Sequence, residues 1–369
     1  MEQKKKKYDM NTPEARRLVD EIVHGTFMKE GTMVAFPTCF PGASLPIAAE
    51  ESRITALDIT PDGIVYGGTS GYQTHVFVAM LHGVTGVVFD LKAVAGATRC
   101  AAVCCGREKF LVCVNGPSGG GRILAAKLQP LPFDLIQEWG FERPGFEDWG
   151  EAVPGEPILH AVADGASDLA LGITGKHVFT VDFDSSRVEV VGEAAGSGWL
   201  AVGSRGGILG QDGARSLWRF DSKRQKLERK AFALPPGAWE KNPVAWSRGK
   251  PSAPLYAADG EGRLFTFNED KGFSGPLGQT PLSPVGPMAV TFDGRLFGFC
   301  GRDLAKMFCY DPASNAISNL GVAVSVLERR RYGYVFGDAL TGRDGEIYFG
   351  ENDNLGHLWV YFPKIRPSA

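Results

Sequence analysis

Seven times along the 369-residue chain, a short apolar strand ends in a loop carrying Gly, Asp or Ser, and a second, aromatic-rich strand follows. The first three copies are Ile64-Val-Tyr66 with Thr74-His-Val-Phe77, Phe110-Leu-Val112 with Gly121-Arg-Ile-Leu124, and Leu169-Ala-Leu171 with Lys176-His-Val-Phe179. Next come Gly207-Ile-Leu209 with Arg215-Ser-Leu-Trp218, and Pro254-Leu-Tyr256 with Gly262-Arg-Leu-Phe265. The last two are Arg295-Leu-Phe297 with Ala305-Lys-Met-Phe308, and Glu346-Ile-Tyr348 with Gly356-His-Leu-Trp359. Successive copies lie roughly 40 to 55 residues apart, the spacing of a four-stranded propeller blade. The pattern therefore predicts an all-β chain, a seven-bladed β-propeller.

Blades are expected to begin near residues 54, 100, 158, 199, 244, 286 and 336. Thr60-Pro-Asp-Gly63, Asp293-Gly294 and Arg343-Asp-Gly345 have the composition of tight turns between first and second strands. The last copy ends after Trp359-Val-Tyr-Phe362, one strand short, so a strand from residues 32–50 should complete it and remove the free edges of the ring. Ahead of it, Asn11-Thr-Pro-Glu14 reads as a helix start, and Ala15, Leu18, Val19, Ile22 and Val23 form one helical stripe ending at Gly25. Residues 1–43 are thus read as tail, short helix and connection, and 44–369 as the propeller.

Composition narrows the function classes. A formal charge of −3, with no long basic stripe beyond Lys4–Lys7, argues against a nucleic-acid surface. No apolar segment is long enough for a membrane span or a signal sequence, which predicts a cytoplasmic protein without a membrane partner. The seven cysteines lack metal-ligand spacing, and five lie in or beside apolar strands, as expected of buried reduced thiols. No nucleophile elbow, P-loop or dinucleotide fingerprint is present.

In a propeller whose strands run A to D outward, B–C loops and D–A crossings share one face, and by analogy ligands favour it. His75, His177 and His357 begin strand C in blades one, three and seven, where other copies carry Arg122, Ser216, Arg263 and Lys306. Solvent exposure alone explains a polar residue there. Blades seven and one are neighbours, however, so His75 and His357 could share a ligand, and a divalent metal remains an open cofactor. The crossing into blade seven carries Arg329, Arg330 and Arg331 beside Tyr332 and Tyr334, suited to a carboxylate. Glu351, Asn352 and Asp353 in the adjoining loop can hydrogen-bond sugar hydroxyls or form a plain turn. Trp139, Trp149 and Trp239 sit in longer crossings, as stacking platforms or as loop packing.

The motif Gly345-Glu-Ile-Tyr348 with His357-Leu-Trp-Val-Tyr361, and Tyr310-Asp-Pro-Ala-Ser-Asn-Ala-Ile-Ser-Asn-Leu-Gly321 after blade six, resembles bacterial seven-bladed propellers. These include the polysaccharide and oligouronide lyases and the streptogramin lyase. The resemblance implies a lyase acting on a uronate-containing saccharide by β-elimination. On that reading an arginine of 329–331 neutralises the carboxylate, His75 or His357 takes the proton, and Tyr332 or Tyr334 protonates the leaving oxygen. Arg122, Arg263 and His177 would add substrate contacts. The alternatives are a non-catalytic propeller binding a glycan or protein, and a propeller hydrolase, lactonase or isomerase.

Overall fold

Second strands are buried on both faces, whereas fourth strands such as Val188–Glu193 and Lys226–Ala233 are largely exposed. That gradient is what a blade flanked by two others requires. Its inner strands read as continuous apolar runs, and only its rim meets water. The computed structural model describes residues 12, 13, 15, 16, 30–37, 47–82, 85–128, 143–165, 167–193, 198–240, 243–249, 253–326, 332–354, 356–364 and 366. The expected helix at 11–25 lies almost wholly outside them. Its first turn is seen where Thr12 Oγ1 accepts the Ala15 N–H at 3.1 Å.

The strands group into seven antiparallel units of four, spanning 53–94, 99–151, 160–193, 201–233, 245–279, 285–324 and 336–362. The fourth strand of the last unit is Thr32–Pro37, which pairs with His357–Phe362 so that Val34 faces Val360. The first strands are Arg53–Ile59, Arg99–Cys105, His160–Asp164, Ala201–Val202, Ala245–Arg248, Val285–Val290 and Phe336–Thr341. Each touches the first strand of both neighbouring units, one to two and onward to seven and back to one. The units therefore close into a ring with the first strands around its axis. Between blades five and six the contact is a parallel pairing, Ser247 to Met288 and Arg248 to Ala289.

The aromatic bias of the repeat has a steric cause. Gly172 lies opposite Phe179 and Gly210 opposite Trp218, each ring lying over the glycine of the neighbouring strand. A Cβ at these glycines would come within 2.2 Å of Phe179 and 2.0 Å of Trp218. The expected turn at Thr60–Gly63 is closed by the Gly63 N–H to the Thr60 carbonyl at 2.9 Å, with Gly63 at φ +88°. Cys100, Cys104, Cys105, Cys113, Cys300 and Cys309 are buried free thiols, and Cys39 lies outside the described residues.

Candidate functional site: the axial channel

The residues expected at the site fall into two groups. Blade seven's crossing and last B–C loop do meet, through the Asn352 N–H donating to the Val335 carbonyl at 2.7 Å. The segment Ala49–Ser52 joins this loop to blade one: Ser52 Oγ accepts the Gly356 N–H at 2.9 Å, and Glu51 reaches His75. Both histidines there are already engaged. His75 Nδ1 lies 3.0 Å from Asp90 Oδ2 and its Nε2 2.9 Å from Glu51 Oε2. Burial pushes its pKa down, but the hydrogen bonds to Asp90 and Glu51 more than reverse this, so it lies above the ordinary value. His357 is buried with Nδ1 3.2 Å from Glu351 Oε2, which also accepts the His357 and Trp359 N–H groups, each at 3.1 Å.

A common structural duty explains the repeat position. The backbone N–H that opens strand C donates to a side chain at the end of strand B. The acceptor is Thr69 for His75, Thr174 for His177, Asp259 for Arg263 and Glu351 for His357, at 2.9–3.1 Å. The opening side chain then pairs with a nearby carboxylate. His177 Nδ1 lies 3.0 Å from Glu156, Arg263 lies 2.7 Å from buried Asp259, and Arg122 pairs with Asp148. The polar residue thus locks the hairpin that solvent exposure alone had been enough to explain.

Tyr332 pairs with Val324 in a short bridge, and Tyr334 is exposed. Trp239 is not at the surface. It is only 3 % exposed, donates Nε1–H to the Pro235 carbonyl at 2.7 Å, and packs near Phe265 and Phe273. Trp149 is in the outer strand Phe146–Glu151 under the Lys109 ammonium, 5.2 Å from its ring centre. Trp139, Arg329, Arg330 and Arg331 lie outside the described residues. Those residues contain no group of three or more His, Cys, Asp or Glu placed to hold a metal, and no helix long and apolar enough to cross a membrane.

A sizeable space lies on the axis. A cavity of about 1110 Å³ runs along the first strands, from Trp199, Pro243 and Pro284 at their starts to the A–B turns at their ends. Neither His75 nor His357 lines it. From blade five, Arg248 crosses this space to blades one and seven. Its Nη2 donates to Asp58 Oδ1 at 2.7 Å, and its Nη1 to the Leu57 carbonyl at 2.5 Å and to Asp338 Oδ2 at 3.2 Å. Asp338 also accepts the N–H groups of Leu57 and Ala339, and Asp58 that of Cys105. Two buried carboxylates share one guanidinium. Burial therefore raises both acids despite Arg248, while for Arg248 the two negative charges outweigh burial and its pKa is raised too.

Around the A–B mouth the lining includes Arg107, Arg205, Arg219, Lys223, Arg224 and Arg343, against the carboxylates Asp164 and Asp221. Arg205 pairs with Asp270, Arg219 lies 3.4 Å from Glu269, and Arg224 lies 3.8 Å from Asp221. Lys223 and Arg343 make no ion pair among the described residues. The signal that could have pointed here is a charge inside an apolar first strand. Asp58, Arg248 and Asp338 interrupt such runs, and a propeller directs its first strands at the axis.

The likeness to solved structures settles the architecture. The fold is a β-propeller. Over 90 % of this chain and 99 % of the other, it superposes on virginiamycin B lyase from Staphylococcus aureus with a TM-score of 0.60 at 9 % identity. The WD40 propeller domain of Doa1 matches over 90 % of this chain and 97 % of its own, at TM-score 0.56 and 10 % identity. The Cps50 (Swd1) propeller domain of Myceliophteria thermophila matches over 84 % and 96 %, at 0.56 and 8 %. No protein-family model and no curated protein matches the sequence. The neighbours thus include an enzyme and WD40 propellers, and at these identities they share the fold alone.

Proposed function

We propose that this propeller binds a small acidic ligand in its axial channel, with a uronate-containing saccharide as the class that fits best. The observation that carries the reading is the channel itself: about 1110 Å³ of space whose A–B mouth holds six cationic side chains and two carboxylates. Ligand pockets usually fall near 300–1,000 Å³, so the space suits about two or three sugar units. Excess positive charge at the entrance draws an anion in and raises its local concentration. Lys223 and Arg343 are the cations there whose charge is least spent within the protein.

Calorimetric titration with uronate oligosaccharides and with their neutral counterparts tests this. The acidic set should bind, more weakly as salt rises, and Lys223→Ala with Arg343→Ala should weaken it further. Equal affinity for acidic and neutral sugars, or none for either, contradicts it.

The elimination chemistry implied by the sequence resemblance is the second reading. It cannot run through His75 as a free base, because both ring nitrogens of that residue face carboxylates. A rise in ultraviolet absorbance from a new conjugated C=C bond, during the same titrations, would favour it over simple binding.

A further inference from the structure

The Arg248 bridge gives the channel a waist whose charge differs from that of its mouth. Asp58 Oδ1 accepts from Arg248 Nη2 and its Oδ2 from the Cys105 N–H, both at 2.7 Å. Asp338 Oδ1 accepts the Ala339 N–H at 2.8 Å, and its Oδ2 accepts the Leu57 N–H at 2.8 Å and Arg248 Nη1 at 3.2 Å. A protonated carboxyl must itself donate, whereas every oxygen of these two acids is already an acceptor. Both are therefore ionised near pH 7, and two carboxylates meet one guanidinium. The waist holds one net negative charge, inside a channel whose mouth is cationic.

Donors remain there all the same. A guanidinium has five N–H groups. Arg248 spends three of them, on Asp58, Asp338 and the Leu57 carbonyl, and its Nε–H makes no hydrogen bond among the described residues. Further from the A–B mouth, at the start of blade three's first strand, His160 Nδ1 accepts the Leu200 N–H at 3.1 Å. A nitrogen that accepts carries no proton, so the proton of the neutral ring sits on Nε2, which has no partner among the described residues. Burial first, then the charges of Arg248 and Arg99, lower the His160 pKa to about 3, so the ring is neutral near pH 7. Both residues line the cavity, and neither Arg248 Nε nor His160 Nε2 is sealed in the packing.

Resting on the channel reading, we infer that the waist selects the uncharged end of a mixed saccharide. The uronate stays among the mouth cations, and a neutral sugar lies inside, its oxygens accepting from Arg248 Nε–H and His160 Nε2–H. At an effective dielectric of about 20, one net negative charge roughly 8–12 Å away disfavours a second by about 10- to 30-fold. A hydroxyl or ring oxygen meets no such repulsion and can still accept. The channel thus reads order as well as charge, acid outside and neutral inside.

Calorimetric titration of the full chain with a diuronate, a uronate–hexose and a neutral disaccharide tests this, at pH 7.5 and 4.5. Uronate carboxyls, like α-carboxyls, ionise near ~3.5 and stay charged at both values. The measured quantity is the diuronate Kd divided by the uronate–hexose Kd. In wild type it should fall about tenfold from pH 7.5 to 4.5, because Asp58 and Asp338, whose pKa values lie above the ordinary one, take up protons. Their other titratable neighbours are Arg248 and the thiols of Cys100, Cys104 and Cys105, raised by burial, all of which keep their protons over this range. Asp164 and Asp221 at the mouth titrate as well, so Asp58→Asn isolates the waist. At pH 7.5 it should lower the ratio about as far by itself, with folding checked by circular dichroism. Nitrogen NMR of wild type supplies a second readout: the His160 Nε2 signal should shift on saturation with uronate–hexose while Nδ1 does not. If Lys223→Ala/Arg343→Ala weakens both acids while the ratio ignores pH and Asp58→Asn, the channel reading stands and the waist is overturned. If wild type binds none of the three sugars, both are overturned. A His160 Nε2 signal unmoved in the saturated complex also overturns the inference.

Discussion

Arg248→Ala removes the one cation shared by two buried carboxylates and leaves both facing each other across the axis. Breaking a buried ion pair by deleting one partner costs about 3–5 kcal/mol, because the remaining charge is uncompensated. The Arg248 side chain is 35 % exposed, against 15 % for Asp58 and 6 % for Asp338. Water reaches the guanidinium and tempers the loss, so about 3 kcal/mol is expected at pH 7.5. With an unfolding entropy near 2.1 cal/mol/K per residue over roughly 330 residues, that is a fall of about 4 °C in Tm.

The pH dependence is the sharper part of this prediction. Asp58 and Asp338 have folded pKa values above the ordinary 3.8. Their contribution is fully present below the unfolded value and is lost as pH rises through the folded one. Without Arg248 the folded values rise further, so the variant's deficit must shrink on acidification toward pH 4. Thermal melts followed by circular dichroism at pH 7.5 and 4.5 measure it. Adding Asp58→Asn and Asp338→Asn to Arg248→Ala should restore part of the loss at pH 7.5. An equal deficit at both pH values, or no deficit at 7.5, refutes the reasoning.

Other consequences follow from single contacts. His75 has a raised pKa, so its bridge between Asp90 and Glu51 is fully present below pH 6.5 and is lost as pH rises through the folded value. His75→Gln should cost about 1.5–3 kcal/mol at pH 6 and less at pH 8.5, by urea unfolding. Glu351→Ala should cost at least about 2 kcal/mol, since its buried carboxylate holds the His357 and Trp359 N–H groups. Trp239→Ala should cost about 3–5 kcal/mol in stability and leave sugar affinity unchanged, because the ring is core and not a platform. Gly172→Ala should cost about 1–3 kcal/mol, since its methyl would press on the Phe179 ring.

The architecture was legible because a blade repeats its physics. Glycine opposite an aromatic, a turn between first and second strands and a polar opening to strand C recur with the period of the fold. First strands begin at 53, 99, 160, 201, 245, 285 and 336, within two residues of the expected starts. Thr32–Pro37 closes the ring where a missing outer strand required it. The histidines were legible as a repeat position but not as locks, because their partners come from different places. His75 is held by Glu51, 24 residues before it, and by Asp90, 15 after, whereas His357 uses Glu351 in its own hairpin. The channel was hidden for a different reason. Asp58, His160, Arg248 and Asp338 are far apart in sequence and join only when the ring closes. Each alone reads as an isolated polar residue in an apolar strand.

The most direct measurement is a crystal structure of the protein soaked with a uronate trisaccharide. Density for the sugar inside the axial channel, with its carboxylates toward the mouth cations Lys223 and Arg343, is the predicted result. Density instead at the B–C loops of blades seven and one, beside Tyr334 and Asn352, with the channel holding only solvent, would contradict the account.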